Sequence, residues 1–181
     1  LGGDQLMITN GSRNLCIAGV FGGGDSGITD STTDVFIESA YFNAVSIRKT
    51  AKAHGLNTDS SFRFERGVDP NMAEYALKRA ALSIQEVAGG TVSMDVIDTN
   101  SKPVKNVTVE FSYERCNLLI GTEVPTEIVK AIFNELDIEI LSESNGIAQL
   151  EIPAYRVDVT READVVEEVL RIFGFNNVPI P

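Results

Sequence analysis

The sequence predicts an α+β fold made of two successive modules, and three observations support this prediction. Apolar runs flank Asn10-Gly11, a strong short signal for a β-hairpin. Several patterns of helical period end at a glycine, where helices commonly stop. The polar, proline-containing stretch DTNSKPVKN separates halves of different charge. We therefore expect an α/β module over residues 1–98, a linker over 99–106 and a small α+β module over 107–181.

The first module is predicted to alternate strands, loops and helices. Its glycine-rich loop, GGGDSG, favours a tight turn with positive φ. The segment HGLNTDSSFRFERGVDP, residues 54–70, follows neither the helix nor the strand period, so we expect irregular backbone there. Asp69-Pro70 then predicts a helix start, since Asp caps helices and Pro is favoured at the first position. In order, the predicted elements are the hairpin, the glycine loop 22–27, a buried strand over 33–40, helices over 45–54 and 70–88, and a strand over 92–97.

The second module is predicted to contain three helices, one strand and a hairpin. Gly121 and Gly174 follow helical patterns, and Ser144-Asn145-Gly146 separates two apolar runs as a hairpin turn does. The predicted elements are a strand over 107–111, helices over 113–119 and 125–136, strands over 138–141 and 147–152, and a helix over 162–173.

Composition narrows the classes of protein that fit the chain. Hydrophobic residues make up 43% and charged residues 23%, as in folded soluble proteins. No apolar run approaches the roughly 18 residues of a membrane span, and we expect no signal peptide and no membrane partner. Cys16 and Cys116 match neither a disulfide framework nor a zinc spacing, which favours a reducing, cytoplasmic location.

The net charge of -11 is concentrated in the second half. Residues 1–90 carry 8 Lys and Arg against 10 Asp and Glu, whereas residues 91–181 carry 7 against 16. Non-specific nucleic-acid binding depends on a basic face, which the second half lacks. A structural or nucleic-acid-binding module without catalysis remains the alternative to a catalytic role.

Two candidate catalytic features are weak by themselves. The glycine loop lacks the Lys-Ser/Thr of a phosphate-binding P-loop, and no helix follows it directly. His54 is the one histidine of the chain, so a Ser-His-Asp relay could form only around it. Its predicted place at a helix C-terminus, where a cation is favoured, indicates a structural role.

Two groups of carboxylates are more informative. Glu38 interrupts the apolar run 33–40, and a buried carboxylate is costly unless it is paired, here with Arg63 or Arg66, or used. In the last helix, a second group shares one face, with Asp158 upstream. Either the helix N-terminus and an Arg171–Glu167 pair stabilise this group, or it binds a hard cation such as Mg²⁺. The members on the helix are Asp164, Glu167 and Glu168.

The ordered motifs ESA (38–40), GLNTDSS (55–61) and RFERGVDP (63–70) closely resemble the bacterial phenylalanyl-tRNA synthetase β subunit. The resemblance identifies residues 1–98 as the C-terminal half of its editing module, a partial α/β module. In the family the whole editing module hydrolyses Tyr-tRNA(Phe), so this half is expected to contribute only part of the site. It implies an editing pocket in which Glu38 recognises the tyrosine hydroxyl, with segment 54–70 as one wall. The implied pocket residues are Gly22, Glu38, Thr58 and Ser60.

The motif IPAYRVDVTREADVVEEVLRIFGFNNVPIP, residues 152–181, resembles the next module of the same subunit, a small α+β module similar to a winged helix. The resemblance covers essentially the whole chain and implies an internal piece of an (αβ)₂ ligase that joins phenylalanine to tRNA(Phe) with ATP. The α subunit would carry aminoacylation. The implied ligands of a Mg²⁺ ion shared with α are Asp158, Asp164, Glu167 and Glu168.

Two departures from the family pattern concern the pocket. Ser60 stands where the family members compared have alanine, which makes the expected pocket more polar. In the family, the other half of the pocket, including its histidine, precedes the part of the subunit that this chain resembles.

Overall fold

The computed structural model describes residues 2–99 and 104–179, and the chain divides into two compact units, Leu1–Pro103 and Val104–Pro181. Residues 100–103 of the predicted linker lie outside the described residues. Both units combine helices with a small antiparallel sheet, which confirms the predicted α+β class. None of the helices in the described part is long and apolar enough to cross a membrane.

The first unit opens with the predicted hairpin. Strands β1 (Met7–Thr9) and β2 (Asn14–Ile17) pair antiparallel, and β3 (Phe21–Gly22) pairs with the other edge of β2. The side-chain oxygen of Asn10 fixes the turn by accepting hydrogen bonds from the backbone N–H groups of Ser12 and Arg13, at 3.1 and 2.9 Å. This use of asparagine explains why the local sequence alone predicts the hairpin.

Three α-helices follow, α1 (Ala44–His54), α2 (Asp59–Phe64) and α3 (Ala73–Ala88). Helix α1 ends at Gly55 with the left-handed φ of 64°, as predicted. A short 3₁₀ turn, Pro70–Met72, capped by Asp69, leads into α3. The prediction of irregular backbone throughout 54–70 is wrong, because a capping interaction within that segment starts α2.

The two remaining strand predictions in this unit are also wrong. Residues 33–40 and 92–97 all lie in the described part and form no strand, and Phe36 is 89% exposed. A β-rich run becomes a strand only when a neighbouring strand takes its backbone hydrogen bonds. The sheet of this unit consists of β1, β2 and β3, and neither run joins it.

The core of the first unit is small and is built around the turn between β2 and β3. Val20, Ile47 and Ala51 are buried, and partly buried apolar side chains pack against them. Gly19 has a φ of 66°, and a Cβ there would lie 2.9 Å from side-chain atoms of Ile47 and Phe42. A residue with a side chain at position 19 would therefore be strained, and glycine is favoured there.

The glycine loop is tight for a different reason from the one predicted. None of its glycines has a positive φ. Instead, a Cβ on Gly23 would lie 1.9 Å from the carbonyl oxygen of Leu15, so the loop presses directly against β2. Close backbone approach is the reason that a glycine is required there.

The second unit follows its predicted element order throughout. Its sheet has the strand order β4-β6-β5, with all neighbours antiparallel, and the hairpin turns at Asn145-Gly146. Helices α4 and α6 stop at Gly121 and Gly174. The elements are β4 (Val107–Ser112), α4 (Tyr113–Ile120), α5 (Thr126–Glu135), β5 (Glu139–Ser144), β6 (Ile147–Ile152) and α6 (Glu162–Phe173).

The central strand β6 organises the core of this unit. Ala148, Leu150 and Ile152 alternate along one face and are fully buried against the helices. Phe111 lies at the centre of an aromatic group, with its ring edge-on to Tyr113 and Phe133 at centroid distances of 5.4 and 5.1 Å. Helices α4, α5 and α6 therefore all pack against one apolar core.

Two tyrosines of this unit give a matched test of the packing. The Tyr113 hydroxyl is buried without a hydrogen-bond partner among the described residues, whereas the Tyr155 hydroxyl donates to Asp137 Oδ2 at 2.6 Å. We expect Tyr113→Phe to raise the free energy of unfolding by about 1 kcal/mol, because it removes an unpaired buried hydroxyl. We expect Tyr155→Phe to lower it by about 1 kcal/mol. Urea unfolding of the whole chain measures both, and equal signs would contradict the expectation.

Candidate functional site

One cavity in the first unit brings together residues that are distant in the sequence. Its volume is about 690 Å³, and its walls come from the β2–β3 turn, the segment before α1, helix α2 and the start of α3. Gly22, Glu38 and Ser60, three of the four expected pocket residues, line it, and Thr58 does not. The fold thus places Gly22, Glu38 and Ser60 around the same cavity.

Glu38 lies at the cavity as an exposed residue, so the prediction that it is buried in a strand is wrong. Within the described residues it makes no ion pair. Arg66 instead pairs with Glu65, Nη1 to Oε1 at 2.9 Å, and lies over the ring of Phe62 at 3.6 Å. The Glu38 carboxylate is therefore not neutralised by either arginine of segment 54–70 in the structure.

Apolar side chains that the sequence did not single out form much of the cavity. Phe42 and Phe64 contact each other with ring centroids 5.1 Å apart, and both line the cavity. Cys16 also lines it and lies opposite Gly22 in the β2–β3 pair. Burial raises the pKa of the Cys16 thiol and the charge of Glu38 raises it further, so this thiol stays protonated at neutral pH.

Thr58 takes part in the structure around the cavity through hydrogen bonds to the backbone. Its hydroxyl donates to the carbonyl oxygen of Val20 at 2.6 Å and accepts from the backbone N–H of Ser61 at 3.0 Å. The Ser61 hydroxyl accepts from the Thr58 backbone N–H at 3.0 Å, which completes a capping box at the start of α2. Sequence analysis missed Ser61, although Thr-x-x-Ser resembles the capping pattern in which Glu or Gln is usual.

The acidic cluster of the second unit is largely engaged with arginines and backbone. Asp164 accepts hydrogen bonds from the backbone N–H groups of Thr160 and Arg161 and from Arg161 Nε. Glu168 accepts from Arg156 at 3.1 Å and from Arg171 at 2.6 Å. The Thr160 N–H lowers the pKa of Asp164 most, and the Arg171 guanidinium lowers the pKa of Glu168 most.

The expected partner of Arg171 was Glu167, and this is wrong, because Arg171 binds Glu168 one residue later on the helix. Asp158 and Glu167 are exposed, and their side chains make no hydrogen bond or ion pair within the described part. Among the described residues, no group of three His, Cys, Asp or Glu side chains is placed to hold a metal ion. The four carboxylates therefore do not form a metal cage within this chain.

Comparison with known proteins identifies the class to which both units belong. Residues 1–89 match the B3/4 domain, and residues 109–175 match the tRNA synthetase B5 domain. The chain is 53% identical to the phenylalanine–tRNA ligase beta subunit of Bacteroides fragilis over 177 residues, and 54% to that of Bacteroides thetaiotaomicron over 177. Each alignment covers 98% of this chain and 22% of the relative.

A more distant relative agrees with this assignment. The beta subunit of Geobacter sulfurreducens is 44% identical over 174 residues, which are 96% of this chain and 22% of the relative. The chain belongs to the family of phenylalanine–tRNA ligase beta subunits, which confirms the resemblance seen in the sequence. It spans about 22% of the length of the curated relatives that it matches.

The paired acids make the stability of the second unit depend on pH. The arginine partners lower the pKa of Glu168 in the folded state below its ordinary value of 4.5. The ionised Glu168 side chain therefore contributes fully to the stability of the fold above pH 4.5, and this contribution is lost as the pH falls below 4.5. We expect Glu168→Gln to lower the free energy of unfolding by about 1–3 kcal/mol at neutral pH. Below pH 4.5 the difference from the wild type should shrink.

The adjacent Glu167 supplies the control, because it lies on the same helix and makes no ion pair in the described part. Glu167→Gln should leave the unfolding free energy near the wild-type value at each pH. Hydrogen exchange of the β4 and β6 amides, followed from pH 7 down to pH 3, reports on this unit by itself. If the two variants gave the same curves, the role assigned to the Glu168–arginine pairs would be wrong.

Proposed function

We propose that the chain forms part of an (αβ)₂ phenylalanine–tRNA ligase, and that its first unit supplies one side of a site that hydrolyses Tyr-tRNA(Phe). The observation that carries the proposal is the cavity in which Glu38 meets Gly22 and Ser60 beside two phenylalanine rings. The high identity to beta subunits supports the assignment of the chain to such an enzyme.

The chemistry of the cavity suits a phenolic side chain. Its volume of about 690 Å³ lies within the usual range for small-molecule sites, about 300–1,000 Å³, so it has room for an amino-acid side chain. Phe42 and Phe64 offer an apolar, aromatic surface, and the Glu38 carboxylate can accept a hydrogen bond from a phenol. Phenylalanine offers no hydroxyl to this carboxylate, and sites that bond a hydroxyl discriminate strongly against analogues without one.

Within this proposal the four pocket residues have different roles. Glu38 recognises the tyrosine hydroxyl, Gly22 leaves room for the bound residue, and Ser60 adds a polar group to the wall. Apart from Gly22 and its two chain neighbours, no described residue has an atom within 4 Å of the position where a Cβ on Gly22 would be, which fits that role. Thr58 is the fourth residue of the expected pocket, and it does not line the cavity.

The whole enzyme is part of the same proposal. Its activity would be the ATP-dependent ligation of phenylalanine to tRNA(Phe) in the cytoplasm, with aminoacylation carried by the α subunit. The name that these relatives share, phenylalanine–tRNA ligase beta subunit, supports both the reaction and the existence of a partner subunit.

The proposal of a Mg²⁺ ion at the contact with the α subunit is limited to two of the four expected carboxylates. Asp164 and Glu168 are held by arginines, so Asp158 and Glu167 are the carboxylates with exposed oxygens. Mg²⁺ often uses one or two carboxylates and keeps several waters. Two carboxylates here would therefore hold the ion only together with groups from the α subunit.

A nucleic-acid-binding role without catalysis is less well supported. Residues 91–181 carry 16 acidic against 7 basic residues, and acidic surfaces repel phosphate backbones. Several of the arginines are also engaged with carboxylates of their own unit, which leaves fewer for phosphates. Those paired arginines are Arg115, Arg156, Arg161 and Arg171.

The role of Glu38 can be tested in the full-length β subunit assembled with its α subunit. Glu38→Ala should lower the ratio of Tyr-tRNA(Phe) to Phe-tRNA(Phe) hydrolysis by about 10- to 100-fold, as loss of a charged hydrogen bond predicts. Asp34→Ala is the control, since Asp34 is exposed in the same segment but does not line the cavity. An unchanged ratio in Glu38→Ala would overturn the recognition role.

The magnesium proposal predicts a dependence that differs between carboxylates. Asp158→Asn combined with Glu167→Gln should weaken αβ association in Mg²⁺ and have little effect in EDTA, because both exposed ligands are lost. Glu168→Gln should weaken the fold equally in both conditions, since its partners are arginines. Association is measured by analytical ultracentrifugation. Equal losses with and without Mg²⁺ for the double variant would contradict a metal contact.

A further inference from the structure

We infer that Thr58 and Ser61 act together as positioning residues, which hold two walls of the cavity at a fixed distance without contacting the bound substrate. The inference concerns geometry first, and its effect on hydrolysis rests on the proposed function. In the sequence, only the Thr-x-x-Ser spacing distinguishes Ser61 from the hydroxyl residues beside it.

The two walls belong to parts of the chain far apart in sequence. One wall is the turn between β2 and β3 around Val20, and the other is helix α2, through Ser60 near its start and Phe64 at its end. Apolar contacts among Val20, Ile47 and Phe64 bring these parts together but have no directional preference. Among the described residues, the Thr58–Val20 bond is the one hydrogen bond that joins the strands to the α2 region.

The hydrogen bonds of the Thr58 hydroxyl explain why this residue positions the cavity wall and does not bind a ligand. A hydroxyl has one hydrogen to donate, and that of Thr58 goes to the Val20 carbonyl at 2.6 Å. One of its lone pairs accepts the Ser61 N–H at 3.0 Å. The Thr58 side chain is therefore committed to backbone on both sides and has no hydrogen left to donate to a ligand.

Ser61 fixes the orientation of Thr58. Its side chain is 2% exposed, one of the few buried polar side chains, and its hydroxyl accepts the Thr58 N–H at 3.0 Å. The same hydroxyl donates to the Thr58 carbonyl at 3.1 Å, with the Leu56 carbonyl at 3.4 Å as a second acceptor. Without this hydroxyl, the Thr58 peptide would lose the hydrogen bonds that direct its side chain toward Val20.

The consequence lies on the cavity surface, two residues along the chain from each end of the Thr58–Val20 bond. Val20 is 1% exposed, so its peptide cannot move without disturbing the core, and Gly22 follows it by two residues. Ser60 lies between Thr58 and Ser61 on the opposite wall. The link therefore sets the separation of Gly22 and Ser60, and misplacement of a site by about 1 Å can reduce a rate on the order of 100-fold.

The first test measures geometry and needs no activity. Thr58→Val keeps the shape but removes the hydroxyl, Thr58→Ser keeps the hydroxyl, and Ser61→Ala removes the buried partner. In the full-length β subunit assembled with α, hydrogen exchange of the amides in residues 17–22 should rise in Thr58→Val and Ser61→Ala and stay near wild type in Thr58→Ser. Exchange unchanged in all variants would overturn the inference.

The second test measures hydrolysis of Tyr-tRNA(Phe) by the same variants. Thr58→Val should lower kcat/KM by about 10- to 100-fold and Ser61→Ala by about tenfold, while Thr58→Ser restores most of the rate. The double variant should lose no more than Thr58→Val alone, because both residues act through one bond. Additive losses would show that Ser61 acts by another route.

The control is Ser112→Ala, which removes a helix-capping serine in the second unit whose hydroxyl accepts the Arg115 N–H at 3.3 Å. Like Ser61→Ala, this variant removes a serine hydroxyl that caps a helix. Because Ser112 lies in the second unit, we expect Ser112→Ala to leave the hydrolysis of Tyr-tRNA(Phe) unchanged. If the wild-type enzyme hydrolysed no Tyr-tRNA(Phe), the proposed function would fail. The exchange measurement would then decide the positioning role by itself.

Discussion

The first unit depends on the placement of Val20, whose side chain and backbone serve different parts of the structure. The side chain is buried with Ile47 and Ala51, so it anchors the β2–β3 turn to helix α1. Its N–H donates to the Ile17 carbonyl at 3.0 Å, and its carbonyl accepts the Thr58 hydroxyl. One residue thus fixes a turn, a helix contact and a cavity wall, because its polar groups and its apolar group all have partners.

The second unit obtains its order from a larger core and a more complete sheet. Strand β6 is paired on both sides, and its inward residues meet the aromatic group around Phe111. Around this core, ion pairs join elements that the sheet does not connect. Glu162 at the start of α6 accepts the Ser112 N–H at 3.0 Å and pairs with Arg115 at 3.2 Å, which ties α6 to the junction of β4 and α4. Acidic residues in this unit therefore contribute to folding as well as to its negative charge.

Apart from α2, the sequence by itself determined the α-helices and both hairpins of the described residues, because their signals are local. Gly55, Gly121 and Gly174 mark helix ends at which the backbone leaves the right-handed region, and Asn10 and Asn145 mark the two hairpin turns. It also determined the family, and it indicated three of the residues that line the cavity, Gly22, Glu38 and Ser60. Each of these depends on residues that are neighbours in the chain, so no distant contact is needed to predict them.

Only the tertiary structure decided which of these residues meet and what each one contacts. Residues 33–40 have strand composition but no strand beside them, so Glu38 is exposed at a cavity instead of buried in a sheet. Glu168, and not Glu167, pairs with Arg171, and Arg156 from a preceding loop also binds Glu168. Thr58 contacts Val20 across 38 residues. Strand pairing, ion pairing and cavity shape all depend on groups brought together by folding, and a linear pattern does not contain those distances.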